Sequence, residues 1–521
     1  MQPCALTEIA TAIGARIVPP DGAAPGAVEG ILVGPDVVID SRKATPGALF
    51  VAFPGEQVDG HDYVARAALA GAVAAVTLRP VEDAGVPCLV VDDPQRALAA
   101  LARHVVDTSP DLAVVGVTGS SGKTSTKDLI AQVLRTAGPT VAPLGSFNNE
   151  IGAPLTATGC DDATRFLVTE MGARGLGHVA YLCSITPPTV AVVLNVGHAH
   201  LGEFGSQDVT AQAKGELVEA LDQDGWAVLN GDDPRVTAMA ARTRGHVARF
   251  AVGARPADGG ELQVWATDVA ADELDRHRYT LHIEDRTDRA RRAAGEGEVV
   301  TATVPVTLRQ LGAHQVPNSL AAATVAYALG LAAEQIADAL CAADALSRWR
   351  MELHERPDGA VILNDSYNAN PDSMASGLRT LARLGDARRT RDPRARTWAL
   401  IGDMLELGAD AAEEHRRIGA LAARLGITDL VAVGEYADDI VAGARAESAG
   451  IRASVAPDKF ALTMAATPLG AADVVLVKAS RGLALETVAD ELAAGGATAW
   501  SDRAAAGGAT AKDADETGGA H

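Results

Sequence analysis

The stretch Leu112–Gly138, LAVVGVTGSSGKTSTKDLIAQVLRTAG, decides how the rest of the chain is read. It opens on a short apolar run, crosses a Gly/Ser-rich turn and continues into a helix. Within it, TGSSGKT (Thr118–Thr124) has the strand–loop–helix context that a phosphate loop requires. Glycines let backbone N–H groups turn inward around phosphate oxygens. The helix N-terminus adds partial positive charge. Thr118, Gly119, Ser120, Ser121, Gly122, Lys123, Thr124 and Ser125 are the candidate contacts. Lys123 has the reach for the β- and γ-phosphates, and Thr124 can ligate Mg²⁺. The strict pattern lacks its first glycine, because Val117 stands there between Gly116 and Gly119. A chance glycine-rich turn is the competing reading. The Lys-Thr pair in the right structural context argues against it.

Outward from this stretch, the chain reads as α/β in four parts. Residues 1–106 alternate short apolar runs such as GALFVAF, VAAVTL and CLVVDD with helical patterns such as PQRALAALARHVV. Residues 107–345 form the second part. Strands and helices alternate there to about Gly253, as in a parallel sheet with crossovers. YTLHIED and VVTATVPVTL then predict strands flanking a loop near Asp285–Glu298, and an Ala-rich helical stretch runs from Asn318 to Ala345. Residues 346–495 give a third α/β set with AVILND, TWALIGD, DLVAVG and DVVLVKAS. Residues 496–521 lack apolar periodicity and read as a disordered tail.

Composition narrows the classes. With 45 basic against 67 acidic residues the net charge is −22, which repels a nucleic-acid backbone. An anionic substrate would therefore need local cations. No basic n-region precedes an apolar run at the start, and no uncharged stretch is long enough to span a bilayer. Cys4, Cys88, Cys160, Cys183 and Cys341 are far apart in no ligand pattern, as expected of free thiols in a reducing cytoplasm.

Several further segments resemble the Mur ligase family, in the family's order and over about residues 30–490. They are DSRKATPGALFVAFPGEQVDG (Asp40–Gly60), the phosphate loop, NNEIGAP (Asn148–Pro154), Glu170-Met171-Gly172, and LNVGHAHLGEFGS (Leu194–Ser206). AKGE (Ala213–Glu216), GAHQVPNSLAA (Gly312–Ala322), NDSYNANPDSM (Asn364–Met374) and IGDMLELG (Ile401–Gly408) follow. Together they are far more specific than any one of them.

The resemblance implies three domains: an N-terminal UDP-substrate domain, a central P-loop-type mononucleotide-binding domain and a Rossmann-like C-terminal domain. It implies a cytoplasmic, monomeric, ATP-dependent ligase of peptidoglycan precursor synthesis, working through an acyl phosphate with Mg²⁺. Ser41, Arg42, Asn148 and Asn149 would bind the UDP-substrate. Glu170 and His200 would hold a second Mg²⁺, His200 rather than His198 falling at the family's position. Lys214 would react with CO₂ to become a carbamate that also holds Mg²⁺. On its own, AKGE reads as an exposed helix lysine. Asn318 would face adenine, or cap the helix that follows it. Arg350, Asp365, Tyr367 and Asn368 would reach the nucleotide from the C-terminal domain. Lys478, Ser480 and Arg481 would face the interdomain cleft, with a generic strand-end basic pair as the alternative. Asp403 and Glu406 read as capping or solvated residues.

Two family members fit the DSR segment. One adds diaminopimelate or lysine to a UDP-muramoyl-dipeptide. The other adds D-alanyl-D-alanine to the UDP-N-acetylmuramoyl-tripeptide. The Asp-Asn-Pro-Arg motif usual in the first is missing from the C-terminal third, where Asn364–Met374 and Gly402–Gly408 resemble the second. Departures from that pattern are Arg174-Gly175 after Glu170, Gln315 for a common Asn, and Trp349 for a common Gly before Arg350. A P-loop kinase would also explain TGSSGKT but not the DSR segment. A nonenzymatic nucleotide-binding scaffold would have no need of Glu170, His200 and Lys214 together.

Overall fold

The structure, a computed structural model, describes residues 1–24, 26–55, 58–197, 206–257, 259–287 and 299–495. Among these residues three large sheets carry the fold. The first has the order Arg16–Val18, Cys88–Val90, Ala74–Thr77, Leu49–Val51, Val37–Val38, with only its outermost Arg16–Val18 pairing antiparallel. Leu6, Leu49, Leu89 and Leu98 of this unit pack into one core with Leu112, Val114 and Leu167 of the next. The first unit is therefore seated on the second through shared apolar surface.

The central sheet runs Val300–Leu311, Arg276–Asp285, Leu262–Ala271, His246–Val252, Trp226–Asn230, Val190–Val193, Ala113–Thr118, Phe166–Glu170, Thr140–Val141. It is parallel from Thr140–Val141 as far as Leu262–Ala271, and the last two pairings are antiparallel. The charged, alternating stretch after Gly253 thus extends the same sheet. Ala113–Thr118 lies between Phe166–Glu170 and Val190–Val193, so its chain continues over a crevice at the carboxyl ends of the strands. Val114, Val115 and Val117 are all buried, the continuous apolar run of a strand covered on both faces. The helix that follows, Lys123–Arg135, buries Leu129, Ile130, Val133 and Leu134. Each such side chain contributes roughly 1.5–3 kcal/mol of hydrophobic stabilisation.

The Ala-rich helical stretch expected over Asn318–Ala345 folds as two helices, Gln315–Ala328 and Ala333–Ala342. Gly330, at φ 97°, turns the chain between them. The third sheet has the order Glu352–Glu355, Val361–Asn364, Val474–Lys478, Thr397–Gly402, Asp429–Val433, Arg452–Val455, parallel apart from the first pairing. Its strand order reverses around Val474–Lys478, which brings the ends Asn364, Lys478 and Gly402 to one crevice. The α/β class and the doubly wound C-terminal unit are as the sequence predicts.

The second and third units are joined by a buried polar contact. Asp275, at the turn between Leu262–Ala271 and Arg276–Asp285, accepts hydrogen bonds from Thr380 at 2.8 Å and Arg383 at 3.0 Å. Both donors lie on the helix Pro371–Arg389. No helix among the described residues is long and apolar enough to cross a membrane.

Candidate active site

A cleft of about 610 Å³ lies between the carboxyl ends of the central and C-terminal sheets. On the central side it is floored by the phosphate loop from Ser120 to Ser125. Gly122 sits at φ 80°, and a Cβ there would come 2.7 Å from Asn318 Oδ1, so only glycine fits the turn. Asn195 secures the loop from beneath, its Oδ1 accepting from Ser121 N at 2.9 Å. Lys123 Nζ donates to the Gly119 carbonyl at 2.8 Å. Desolvation lowers its pKa, and Arg350 lowers it further against the opposing pull of Glu170. Thr118 is fully buried and donates to Met171 O, and neither it nor Gly119 lines the cleft.

Glu170 ends the strand beside the loop, which is why it reaches the phosphate region. Its Oε2 accepts from Thr124 Oγ1 at 2.8 Å. Its Oε1 accepts from Ser146 Oγ at 2.9 Å and Asn148 Nδ2 at 2.8 Å. Burial alone would raise its pKa; Lys123, Arg350 and these hydrogen bonds outweigh burial and hold it below the usual carboxylate value. An ionised carboxylate beside a hydroxyl is a hard oxygen set that suits Mg²⁺, which keeps water and phosphate oxygens as further ligands. Among the described residues no group of three or more His, Cys, Asp or Glu converges, so such a cation would rely on the nucleotide for much of its shell. His200 lies outside the described residues.

Lys214 is not the exposed helix lysine that AKGE alone predicts. It is 2 % exposed, on the helix Gln207–Glu219. Burial, and then the charge of Lys123, lower its pKa well below the usual lysine value. Among the described residues it has no ion-pair partner. A buried unpaired ammonium costs several kcal/mol, so the amine is driven toward its neutral form. The rest of the motif is structural. Glu216 accepts from Gly177 N and Ala180 N at the start of the helix His178–Ile185. Gly215 leaves room for Arg242, whose guanidinium donates to the carbonyls of Ala211 and Gln212.

The C-terminal wall is more fully paired. Lys478 Nζ donates to Asp365 Oδ2 at 2.6 Å and to Asn368 O at 3.0 Å. The Arg350 guanidinium lies 4.2 Å over the Tyr367 ring. Arg350 is presented between two left-handed residues, Trp349 at φ 61° and Met351 at φ 52°. A glycine before Arg350 would adopt that conformation without strain; here the Trp349 ring instead stacks under Arg481 at 4.4 Å. Ser480, Arg481 and Glu406 also line the cleft, so the strand-end basic pair belongs to the site. Asp403 is buried and accepts from Glu435 N and Tyr436 N, which makes it a cap for the helix Ala437–Glu447 and not a solvated residue.

Four further predicted residues are placed by the structure. Asn318 does not cap its helix; it lies within the first turn of Gln315–Ala328, faces the cleft, and donates to Gln315 Oε1 at 3.0 Å. Asn149 does not line the cleft, since its side chain accepts from Gly152 N at the start of the helix Gly152–Ala157. Ser41 and Arg42 lie in a separate turn of the first unit, where Arg42 is 68 % exposed and pairs with Asp40 at 2.9 Å. Sequence reasoning missed Asn195 and Ser146. The first sits inside a quoted motif and the second two residues before one.

The fold and this site define a class. The Mur ligase middle-domain model matches residues 117–326, the Mur ligase glutamate ligase domain model residues 349–481, and the Mur ligase family catalytic-domain model residues 36–105. The chain belongs to the Mur ligase family. Within it, the UDP-N-acetylmuramoyl-tripeptide--D-alanyl-D-alanine ligase of Mycobacterium tuberculosis is 42 % identical, over 94 % of this chain and 97 % of its own. The enzyme of that name from Escherichia coli is 32 % identical, over 88 % and 95 %. A crystal structure of MurF from Acinetobacter baumannii matches with a TM-score of 0.77 at 27 % identity, covering 95 % of this chain and 99 % of that one. MurF from Thermotoga maritima in complex with ADP matches with 0.71 at 27 % identity, covering 88 % and 97 %.

Proposed function

We propose that this chain is the ATP-dependent ligase that joins D-alanyl-D-alanine to UDP-N-acetylmuramoyl-tripeptide in peptidoglycan precursor synthesis. The observation that carries the reading is the single cleft between the phosphate loop and Glu170 on one side and Arg350, Asp365 and Lys478 on the other. Joining a carboxylate to an amine in water is uphill. A site that holds ATP on one wall and admits an amine from the other can activate the carboxylate first. A carboxylate oxygen of the tripeptide attacks the γ-phosphorus, and ADP leaves. The dipeptide amine then attacks the acyl carbon, loses its proton, and inorganic phosphate departs with that oxygen.

Each residue has a role in this scheme. The loop amides and Lys123 cradle the phosphates and take up the charge that spreads over the transferring phosphoryl group. Arg350 adds a second cation from the opposite wall. Thr124 and Glu170 would hold Mg²⁺, joined by Lys214 in its carbamate form and by His200, and the cation would neutralise phosphate charge. A neutral Lys214 amine adding to CO₂ gives the carbamate and releases a proton, turning an uncharged amine into an anion that attracts the cation. Asn318 and Gln315 would border adenine. Residues 1–106 would hold the UDP-sugar through Ser41 and Arg42, residues 107–345 the nucleotide, and residues 346–495 would deliver the amine. A peptide α-amine ordinarily titrates at about pH 8, so positioning suffices without a strong base.

ADP release with UDP-tripeptide against a panel of amino acids and dipeptides tests the assignment. Release should require D-alanyl-D-alanine. Release driven by diaminopimelate or lysine with a UDP-dipeptide would make it the third-residue enzyme. Release without any amine would make it a phosphotransferase or hydrolase.

A further inference from the structure

Lys127 is a fully buried lysine one turn past the phosphate loop, and it does not line the cleft. Its ammonium donates to Pro143 O at 2.6 Å and Gly145 O at 3.2 Å, and pairs with Asp128 at 2.5 Å. A buried ammonium is tolerated only when its protons are placed in this way. Those two carbonyls belong to the loop that delivers Ser146 and Asn148 to the same oxygen of Glu170. That loop has little apolar anchorage of its own, since Leu144 is 84 % and Phe147 47 % exposed. Its place is set by polar contacts, and Lys127 makes the deepest of them.

The neighbouring Asp128 holds the other wall. Its Oδ2 accepts from Ser347 Oγ at 2.6 Å, three residues before Arg350. One turn on, Gln132 exchanges two hydrogen bonds with the backbone of Asp344, at 3.0 and 2.9 Å. The outer side of the phosphate-loop helix is therefore tied to the segment that leads into Arg350.

We propose that Lys127 and Asp128 are positioning residues: from behind the phosphate loop they fix Glu170 through the loop Pro143–Asn148 and Arg350 through Ser347, without touching substrate. The proposal rests on the reading of Glu170 as a Mg²⁺ ligand. Outer-shell partners of that kind typically change metal affinity or activity by about 10–100-fold.

Lys127→Met keeps the stem and removes the ammonium. The probes are the Mg²⁺ dependence of turnover and the Mg²⁺-dependent affinity for a nonhydrolysable ATP analogue, with melting temperature as the check on folding. The Mg²⁺ midpoint should rise by about 10–100-fold in both measurements. Binding of the analogue without Mg²⁺ should be unchanged. Because Lys127 acts through Glu170, adding Lys127→Met to Glu170→Gln should shift the midpoint no further, whereas independent sites would add. A folded Lys127→Met protein with the wild-type midpoint would overturn the proposal, as would full additivity with Glu170→Gln. If Lys127→Met does not fold, Ser146→Ala carries the test, and an unchanged midpoint there breaks the route. An unaltered Mg²⁺ response in Glu170→Gln itself would instead remove the cation reading, and this proposal with it.

Discussion

The two walls of the cleft treat charge in opposite ways. On the central wall, neither Lys123 nor Lys214 has an ion-pair partner among the described residues, and Glu170 is held by neutral donors only. On the C-terminal wall, Lys478 is bonded to Asp365, Arg350 lies over Tyr367, and Arg481 lies over Trp349 and pairs with Glu486. Unpaired charge in a desolvated site is costly unless a ligand completes it. The central wall is thus built for phosphates and a cation that arrive from outside. The C-terminal wall carries ion pairs of its own at Lys478 and Arg481, while Arg350 Nε and Trp349 Nε1 have no hydrogen-bond partner among the described residues, and it can move against the central wall without rearranging those pairs. Central-wall variants should therefore lose function while keeping stability, and C-terminal-wall variants should lose stability as well.

The largest effect expected is from Lys123→Ala. Turnover should fall by at least ~10²–10³ with the melting temperature unchanged, since one such contact is worth that much. Near-normal ligation by the folded variant would break the comparison at its first wall. Asp365→Ala should lose stability as well as turnover, leaving Lys478 buried without its carboxylate. A loss of about 3 kcal/mol of stability is expected, visible in thermal unfolding. Unchanged melting would show that the second wall is not held by its own pairs.

Lys214→Ala sharpens the contrast. Activity should fall by about a hundredfold, the range for groups that tune a bound cation. ATP binding should persist, because the phosphate loop is intact, and stability should not drop, because the variant breaks no ion pair among the described residues. Full activity would return Lys214 to a structural role. The smallest effect is at Trp349, whose left-handed backbone carries a strain of about 1 kcal/mol that glycine avoids. Trp349→Gly should therefore unfold at a higher temperature than Trp349→Ala, which keeps the strain and loses the ring. The opposite order would deny that strain.

Much of this was legible in the sequence because it is local. The phosphate loop announces itself by strand, glycines and Lys-Thr within a single stretch, and Glu170 by ending the next core strand. The glycine that resemblance places before Arg350 corresponds to a φ of 61° in the folded chain. What was not legible depends on pairing across the chain. Ser121 meets Asn195 over 74 residues, Arg383 meets Asp275 over 108, and Ser347 meets Asp128 over 219. No spacing rule reveals such partners. Asn149 departs from its expected place because an Asn before a helix serves equally as a cap or a ligand, and here it caps. Arg42 matches a motif whose place relative to the cleft is a matter of domain packing alone.

The coupling of the two walls can be followed in a single atom. UDP-tripeptide labelled with ¹⁸O in the reacting carboxylate, turned over with ATP and D-alanyl-D-alanine, should release inorganic phosphate carrying one labelled oxygen for each peptide bond formed. Phosphate free of label, with bond formation intact, would contradict activation of the carboxylate by ATP and with it the division of labour between the walls.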